Sequence, residues 1–324
     1  MEQRVLPGIK EIEDASETIR DVASRTPLVE SPGLSRLTGK EVYLKLECFQ
    51  PIRVFKISGA YNKISRLAER SVVAASSGNH GIAVAYSSRL LGKKCTVVVP
   101  ETAVQEKVEA IQDYGAEVVR AGRLSEEREA RAREIARSTG SAFVHPFNDP
   151  DVVAGQGTCG LEISEQLTDF DTVLVPVGGG GLISGVAIAL KERRPDVRVF
   201  GVEPQGAPKL ASALAAKEIV RVENPRSIAD GLIPSALGEL TFMACSRFVD
   251  GSFTASEAEI FEATATMANQ ARIIAEPSGA APLAPLLSGS RPVPGRTVVL
   301  VVSGGNISRG VLQKVLSSQP VQHT

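Results

Sequence analysis

Residues 47–60 carry the sequence ECFQPIRVFKISGA, which joins a predicted strand at 42–46 to a predicted helix that begins near Lys56. Apolar residues flank Lys56 on both sides, and burial among them disfavours its charged ammonium form. A neutral lysine amine is a nucleophile that forms Schiff bases with carbonyl compounds. The commoner alternative is a lysine whose stem crosses apolar surface while its amine reaches water. The assignment therefore depends on other segments of the chain.

The composition indicates a chain that can bury a large core. It has 324 residues, 43% of them hydrophobic, and a formal net charge of −1, so neither a nucleic-acid partner nor a membrane-surface patch is expected. The N-terminus has no signal-peptide pattern. The longest uncharged run, residues 172–190, contains four consecutive glycines and a proline, which argues against a membrane span. The four cysteines are scattered without C-x-x-C spacing, which predicts free thiols in the cytoplasm.

Predicted strands and helices alternate after the Lys56 helix. A first alternation runs from a strand at 72–75 to a strand at 142–144. A second is predicted to contain a helix, a strand and a helix, at residues 157–167, 172–177 and 182–192. Strands that alternate with helices of this length are typical of βαβ units and parallel sheets. The sequence therefore predicts an α/β protein.

Four consecutive glycines, Gly178, Gly179, Gly180 and Gly181, lie between a predicted strand and the helix that opens with Leu182. Successive glycines let several backbone N–H groups converge on one anion, and a helix N-terminus adds partial positive charge. A flexible turn is the alternative, but four glycines would then cost conformational entropy without a function. The segment is predicted to bind a phosphate. It matches neither the dinucleotide pattern G-x-G-x-x-G nor the ATPase pattern G-x-x-x-x-G-K-[ST].

A second strand-to-helix turn, residues 76–81, reads Ser-Ser-Gly-Asn-His-Gly. Its N–H groups and hydroxyls could hold a carboxylate at the helix N-terminus. N-capping by one serine or asparagine is the alternative, although it accounts for only one of these residues. His80 could be a general base, but a single histidine in a first helical turn is more often structural.

The third turn, residues 303–306, reads Ser-Gly-Gly-Asn and follows a predicted strand at 297–302. Small residues there would let a ligand approach the carboxyl edge of the sheet, where open parallel sheets bind ligands. A tight turn with no further function explains this segment equally well when it is considered alone.

In this order, Phe55-Lys56 and the three turns resemble the fold-type-II pyridoxal-phosphate (PLP) enzymes, and most of all the serine/threonine dehydratase and serine racemase group. Five further segments carry the resemblance: His-Pro-Phe at 145–147, Ala-Gly-Gln-Gly-Thr at 154–158, Gly-Val-Glu-Pro at 201–204, Ile-Ala-Asp-Gly at 228–231 and Glu-Pro-Ser-Gly at 276–279. The resemblance extends from residue 25 to residue 306.

The resemblance implies a fold of two open, mostly parallel sheets flanked by helices, like that of the tryptophan synthase β subunit. A small domain, 70–145, would be inserted into a large PLP-binding domain formed by 1–69 and 146–324. The cofactor would lie in the cleft between the two domains. The precedent of the family is a homodimer.

The resemblance also implies how the cofactor would be held. Lys56 would bind it covalently, and Phe55 and Asn79 would contact its ring and its phenolic oxygen. The phosphate would be bound by residues 178–182. Ser303 would face the pyridine nitrogen, and a hydroxyl does not hold a proton there as a carboxylate would. The bound cofactor is then expected to favour expulsion of a β-leaving group over transamination.

The resemblance further assigns a substrate site. The carboxylate of the amino acid would be bound by Ser76, Ser77, Gly78, Asn79, His80 and Gly231. Ser77 matches the serine that, in the racemases, stands on the cofactor face opposite the lysine, so Lys56 and Ser77 are the two catalytic candidates.

Two departures from the family pattern are visible. Residues 52–54 read Ile-Arg-Val where Thr-Gly-Ser is usual, and Ser58 replaces an arginine, so the identity of the substrate stays open. Many relatives bind a divalent cation through the Glu of Gly-Val-Glu-Pro, an Ala carbonyl and an acidic residue, but the third position here is Lys209. We therefore expect no metal, with Lys209 paired to Glu203 in its place. The alternative is that Lys209 points to solvent and the site is lost.

The sequence thus predicts a cytoplasmic PLP-dependent ammonia-lyase. It would convert a hydroxy amino acid such as L-threonine or L-serine into a 2-keto acid and ammonia. An amino-acid racemase or a β-replacement synthase of the same fold is the first alternative, and a binding protein without activity is the second.

Overall fold

The computed structural model describes residues 5–318 except residues 77, 104, 123 and 124. The first part of the chain contains α1 (Ile9–Ile19), β1 (Leu28–Glu30), α2 (Pro32–Thr38), β2 (Glu41–Lys45) and α3 (Lys56–Ser65). The second part contains β3 (Ser71–Ala75), α4 (Asn79–Leu90), β4 (Lys94–Val99), α5 (Gln105–Gln112), β5 (Glu117–Arg120), α6 (Ser125–Thr139) and β6 (Ala142–Phe143).

The remainder of the described chain is also α/β. It contains α7 (Pro150–Gln166), β7 (Thr172–Pro176), α8 (Gly181–Arg193), β8 (Arg198–Pro204), α9 (Lys209–Ala216), α10 (Glu239–Phe248), β9 (Gly251–Ala255), α11 (Glu257–Gln270), α12 (Pro277–Ala280), α13 (Ala284–Ser288), β10 (Thr297–Val301) and α14 (Arg309–Ser317). None of the helices in the described ranges is long and apolar enough to cross a membrane.

The strands form two sheets. The larger has the order β1-β2-β10-β7-β8-β9, and only the pairing of β1 with β2 is antiparallel. The smaller has the order β5-β4-β3-β6 and is parallel throughout. The central strand β7 is buried along its whole length, as its unbroken apolar sequence requires when helices cover both faces of a sheet. The predicted fold class is confirmed.

The parallel arrangement places the sequence motifs at sheet edges. In the larger sheet β10 lies between β2 and β7, with Val299 opposite both Tyr43 and Val173. The segments that follow these three strands therefore leave from one edge, the carboxyl edge, and they are the Lys56 turn, the turn at 303–306 and the glycine loop at 178–181. The chain that follows β3 from Ser76 leaves from the carboxyl edge of the smaller sheet.

Helix α7 begins earlier than predicted. The sequence predicts a helix at 157–167, but α7 begins at Pro150, after Asp149. The Asp149 carboxylate caps it by accepting bonds from the N–H groups of Asp151 and Val152, at 2.9 and 3.2 Å. Glycine has a low helix propensity, but here it allows close packing, because a Cβ on Gly155 would stand 2.5 Å from the Ser58 carbonyl of α3. Helix α7 thus presses directly on the helix that carries Lys56.

Candidate active site

The turn that carries Lys56 is bound to the turn at 303–306 by backbone hydrogen bonds. The N–H of Phe55 donates to the Ser303 carbonyl at 3.1 Å, and Val54 forms a β-bridge with Gly304. The Gly305 N–H donates to the Arg53 carbonyl at 2.8 Å. The structure therefore brings together two of the segments that the sequence analysis selected, and it places the buried Ser303 beside Phe55 and Lys56.

Arg53 occupies a backbone conformation that favours glycine, with φ of 61°. The left-handed conformation costs an L-residue about 1–2 kcal/mol. The side chain compensates in part, because its Nε donates to the Gly305 carbonyl at 3.2 Å. This contact helps to hold the arginine in a backbone conformation that glycine adopts more readily. It also directs the guanidinium along the 303–306 turn.

The Lys56 amine lies in an apolar environment. Its Nζ donates to the Pro146 carbonyl at 2.7 Å and stands 5.1 Å from the centroid of the Phe55 ring. Burial lowers the pKa of Lys56 from 10.5 to about 8. At neutral pH that shift raises the neutral fraction of the amine about 300-fold, since each pKa unit is a factor of ten. The amine is therefore suited to nucleophilic attack on a carbonyl group.

The glycine loop has no room for side chains. A Cβ on Gly178 would stand 2.6 Å from the Gly231 carbonyl oxygen, and one on Gly179 would overlap the Phe147 ring. Gly180 has φ of +93°, which is the left-handed region. The first bond within α8 runs from the Ser184 N–H to the Gly180 carbonyl at 2.9 Å. The N–H groups that precede it, which include that of the buried Leu182, have no acceptor within the helix and suit an anion.

Pro146 and Phe147 connect the lysine to the glycine loop. The Pro146 carbonyl accepts the hydrogen bond of Lys56, and the next residue, Phe147, covers Gly179. An amine that forms Schiff bases and an anion cradle at a helix N-terminus therefore lie against neighbouring residues of one segment. An aldehyde that carries a phosphate fits these two groups together.

The predicted substrate turn leads into α4. The Gly78 N–H donates to Ser76 Oγ at 3.1 Å, and Asn79 is the first residue of α4. His80 is buried, and its Nε2 lies 3.0 Å from the Val144 carbonyl. Because a carbonyl only accepts, His80 Nε2 carries the proton, and burial together with the charges of Lys56 and His145 lowers the pKa of His80 to about 3. The His80 ring is thus neutral and holds the backbone. Ser77 lies outside the described residues.

Gly231 lies between the glycine loop and the segment Glu-Pro-Ser-Gly. Its N–H donates to Ser278 Oγ at 3.0 Å, and its carbonyl is the atom that a side chain at Gly178 would meet. The adjacent Asp230 forms an ion pair with Lys107 of α5. The ion pair connects a segment on the larger sheet's side to α5, which packs beside the smaller sheet. Lys107 also lies close to Gly78 of the predicted substrate turn.

Two residues of the site received no role from sequence reasoning. Glu276 Oε1 accepts a hydrogen bond from Asn79 Nδ2 at 2.7 Å, and Asn306 Nδ2 donates to Asn79 Oδ1 at 2.9 Å. The Glu276 side chain is 5% exposed, and burial, reinforced by the charge of Asp230, raises the pKa of its carboxyl to about 7. The available signal was an acidic residue in the otherwise uncharged stretch 273–290.

Lys209 is paired with Glu203, as predicted, and does not point to solvent. Its Nζ donates to the carbonyls of Ala207 and Leu232, both at 2.9 Å, and to Glu203 Oε2 at 3.4 Å. Both side chains are fully buried. An ammonium at this position does not fit a divalent cation, which prefers carboxylate and carbonyl oxygens. Within the described residues, no group of three or more acidic, histidine or cysteine side chains could hold a metal.

Together the two mostly parallel sheets, the Lys56 amine of lowered pKa and the glycine cradle define a PLP enzyme. Comparison with known proteins agrees, because residues 19–304 match the family described as pyridoxal-phosphate dependent enzyme. The chain belongs to this family, and its cofactor is pyridoxal phosphate.

Individual relatives indicate the group within this enzyme family that the chain resembles. The chain is 42% identical to the L-threonine ammonia-lyase of Thermotoga maritima over 313 residues. The matched region covers 95% of this chain and 78% of that protein. The structure of maize serine racemase is similar at a TM-score of 0.92 and 35% identity, covering 96% of this chain and 97% of that one. The structure of the processed form of threonine deaminase isoform 2 from Solanum lycopersicum is similar at a TM-score of 0.88 and 34% identity. The match covers 97% of this chain and 95% of that one. The predicted group, cofactor and enzyme class, a PLP-dependent ammonia-lyase, are confirmed.

Proposed function

We propose that the protein dehydrates L-threonine or L-serine to the corresponding 2-keto acid and ammonia. The observation that carries this proposal is the Lys56 amine, whose pKa is lowered to about 8 and which lies against Pro146 beside the glycine cradle. The relatives whose names specify threonine support the choice of substrate. Ser303, a hydroxyl residue at the pyridine position, supports elimination over transamination.

We propose the following division of labour among the side chains. Bound pyridoxal phosphate supplies the electron sink that acidifies the substrate Cα. The N–H groups of residues 178–182 bind the phosphate, and the turn at 76–80 binds the substrate carboxylate. Lys56 Nζ would hold the cofactor covalently and would accept the Cα proton of the substrate. The rings of Phe55 and Phe147 shield that proton transfer from water.

The overall reaction balances without an external oxidant or reductant. Elimination removes the β-hydroxyl as water, and hydrolysis of the resulting enamine or imine consumes one water and releases ammonia. One keto acid and one ammonia are therefore formed for each amino acid. Incubation of purified protein with L-threonine and with L-serine should give both products in a one-to-one ratio. Absence of keto acid with either substrate, from protein that carries cofactor, would refute the proposal.

Amino-acid racemisation is a second candidate activity. The similarity to maize serine racemase favours it, and Ser77 is the residue proposed to stand opposite Lys56. A racemase needs a proton donor on each face of the cofactor, so Ser77→Ala should remove D-amino acid formation while retaining part of the dehydration. Chiral chromatography of the amino-acid pool measures this. Undiminished formation of D-product by the variant would contradict the role of Ser77.

The domain division, assembly and location are also proposals. We propose a small domain at 70–145 inserted into a domain of 1–69 and 146–324, and the membership of all four strands between residues 71 and 143 in the smaller sheet supports it. We propose a homodimer in the cytoplasm, and the four buried free cysteines are compatible with a reducing compartment. Light scattering of the purified protein tests the dimer directly.

A further inference from the structure

A chain of hydrogen-bonded side chains joins the elements of the two sheets beside the turn that carries Lys56. It consists of Glu276, Asn79 and Asn306, and we refer to these three residues as the amide relay. Asn79 begins α4, which follows β3 of the smaller sheet, whereas Glu276 precedes α12 and Asn306 follows β10 of the larger sheet. Asn79 therefore contacts the larger sheet's side through both ends of its amide.

The direction of every bond in the amide relay is fixed by one backbone carbonyl. Asn306 Nδ2 donates to the Ile52 carbonyl at 3.2 Å, and a carbonyl can only accept. The same Nδ2 donates to Asn79 Oδ1 at 2.9 Å, so the Asn79 amide must present its nitrogen to Glu276, at 2.7 Å. An amide nitrogen carries two N–H groups. Glu276 accepts one of them, and the second is the group that can donate to a ligand.

Glu276 is held in place independently of Asn79. Its backbone N–H donates to the Gly304 carbonyl at 3.0 Å, and its own carbonyl accepts from the N–H of Gly279 at 2.8 Å and of Ala280 at 3.0 Å. A side chain at Gly304 would collide with Glu276 Oε1. The backbone N–H of Asn306 also bonds to the Glu276 carboxyl, which is therefore held in place as an acceptor. Fixed acceptors orient their donors, and charged or charge-assisted bonds do so more strongly than neutral ones.

We propose that Glu276 is a positioning residue that aims one N–H of Asn79 at the phenolic oxygen of pyridoxal phosphate. This inference rests on the proposed function and on the contact with that oxygen that the family resemblance implies for Asn79. A donor at the phenolic oxygen stabilises its anionic form, with the proton on the nitrogen shared with Lys56. Without the donor, the population of the neutral phenol form increases, and that form absorbs at shorter wavelength. Glu276 thereby acts on the electronic state of the cofactor through Asn79.

The test compares two substitutions at one position. Glu276→Gln keeps an oxygen that can accept from Asn79, whereas Glu276→Leu keeps the approximate volume and removes the acceptor. We expect Leu to shift the absorbance of the bound cofactor towards the shorter-wavelength form and to weaken cofactor binding about tenfold, since Asn79 loses the hydrogen-bond acceptor that orients it. Gln should give a smaller change in the same direction. Asn306→Ala should resemble Glu276→Leu, because it releases the other end of the Asn79 amide.

Glu162→Gln is the matched control. Burial also raises the pKa of Glu162 to about 7, but its partner is Lys45 and not Asn79. This variant should retain the absorbance spectrum of the parent protein. Titration of cofactor-free protein with pyridoxal phosphate, followed by absorbance, provides both readouts without any measurement of turnover.

Three results would overturn the proposal. One is an unchanged spectrum and cofactor affinity in Glu276→Leu and Asn306→Ala. The second is an equal shift in Glu162→Gln, which would indicate general loosening of the protein. The third, if Glu276→Leu does not fold, is a spectrum of Glu276→Gln and Asn306→Ala that matches the parent. Failure of the parent itself to show bound-cofactor absorbance would instead count against the proposed function.

Discussion

Lys56 and Lys209 lie at equivalent positions next to the larger sheet, but among the residues that the structure describes only Lys209 of the two is paired with a carboxylate. Each is the first residue of a helix that follows a strand of that sheet, α3 after β2 and α9 after β8. Lys209 Nζ contacts a carboxylate and two carbonyls. Lys56 Nζ contacts the Pro146 carbonyl and an aromatic ring, and it takes part in no ion pair within the described ranges.

The difference shows how one residue type serves two purposes. The first turn of a helix is an unfavourable place for a cation, because the helix dipole puts partial positive charge there. At Lys209 the Glu203 carboxylate opposes this effect, and it also accepts the N–H groups of Leu210 and Ala211, at 2.9 and 2.7 Å. Burial still lowers the pKa of Lys209, but Glu203 raises it again in part. At Lys56 no carboxylate in the described part of the chain forms an ion pair with the amine, so burial disfavours the ammonium form and the amine is reactive.

Replacement of Lys56 should give the largest effect. Lys56→Ala removes both the covalent link to the cofactor and the base for the Cα proton, so turnover should fall by at least about 10³-fold. The absorbance of covalently bound cofactor should vanish, while non-covalent binding through the glycine loop can persist. Keto-acid assays and absorbance spectra measure the two losses.

The control for Lys56→Ala lies on the same helix. Lys63 forms ion pairs with Asp149 at 2.9 Å and Asp151 at 3.1 Å, and Lys63→Ala should retain most of the turnover. If Lys209→Ala abolished covalent cofactor binding while Lys56→Ala left it intact, the comparison of the two lysines would be reversed.

Replacement of Lys209 should destabilise the protein. Lys209→Met leaves the Glu203 carboxylate buried without its counter-ion, and breaking a buried pair typically costs about 3–5 kcal/mol. The double variant Lys209→Met with Glu203→Gln removes the stranded charge and should recover part of the loss. Urea denaturation of the three proteins gives the free energies of unfolding. A change within about 0.5 kcal/mol for Lys209→Met would show that the pair has no structural importance.

Sequence patterns predicted the elements whose periodicity or composition is strong. The apolar strand β7 and the glycine loop lie where they were expected, since an unbroken apolar run followed by four glycines has few other interpretations. The start of α7 was missed because its small residues suggest a break, and only the closeness of α3 explains them. Short edge strands such as β1 and β9 carry little periodicity and owe their conformation to the neighbouring strand.

The site was predictable in its segments and not in its contacts. The sequence selected Lys56, the glycine loop and Asn79, but it gave no means of seeing that Glu276 lies beside Asn79, 197 residues away. For His80 the sequence favoured a structural role over that of a general base, but it could not name the partner. The Val144 carbonyl, which occupies its Nε2, becomes its neighbour only when α4 packs on the smaller sheet.

A smaller effect that tests the comparison of Lys56 with Lys209 is the pH dependence of covalent cofactor binding. Only the neutral amine attacks the aldehyde, so the rate of covalent uptake by cofactor-free protein should rise about tenfold per pH unit below pH 8 and level off above it. Stopped-flow absorbance measures the rate, and a lysine model compound in the same buffers corrects for titration of the cofactor itself. A rate that still rises steeply towards pH 10.5, the ordinary pKa of lysine, would show that burial does not activate Lys56.

The smallest expected effect is the response to divalent cations. Lys209 places an ammonium against Glu203, Ala207 and Leu232, and we expect that charge to fulfil the structural role that a metal would otherwise have. Neither EDTA nor added Mg²⁺ should then change turnover or the melting temperature. Lys209→Asp replaces the ammonium with a carboxylate beside Glu203, so its melting temperature should rise with Mg²⁺, which binds carboxylate oxygens. Lys209→Met, which lacks the added carboxylate, is the control and should not respond. Inactivation of the parent protein by EDTA, with recovery on addition of Mg²⁺ or Mn²⁺, would show that Lys209 does not replace a metal.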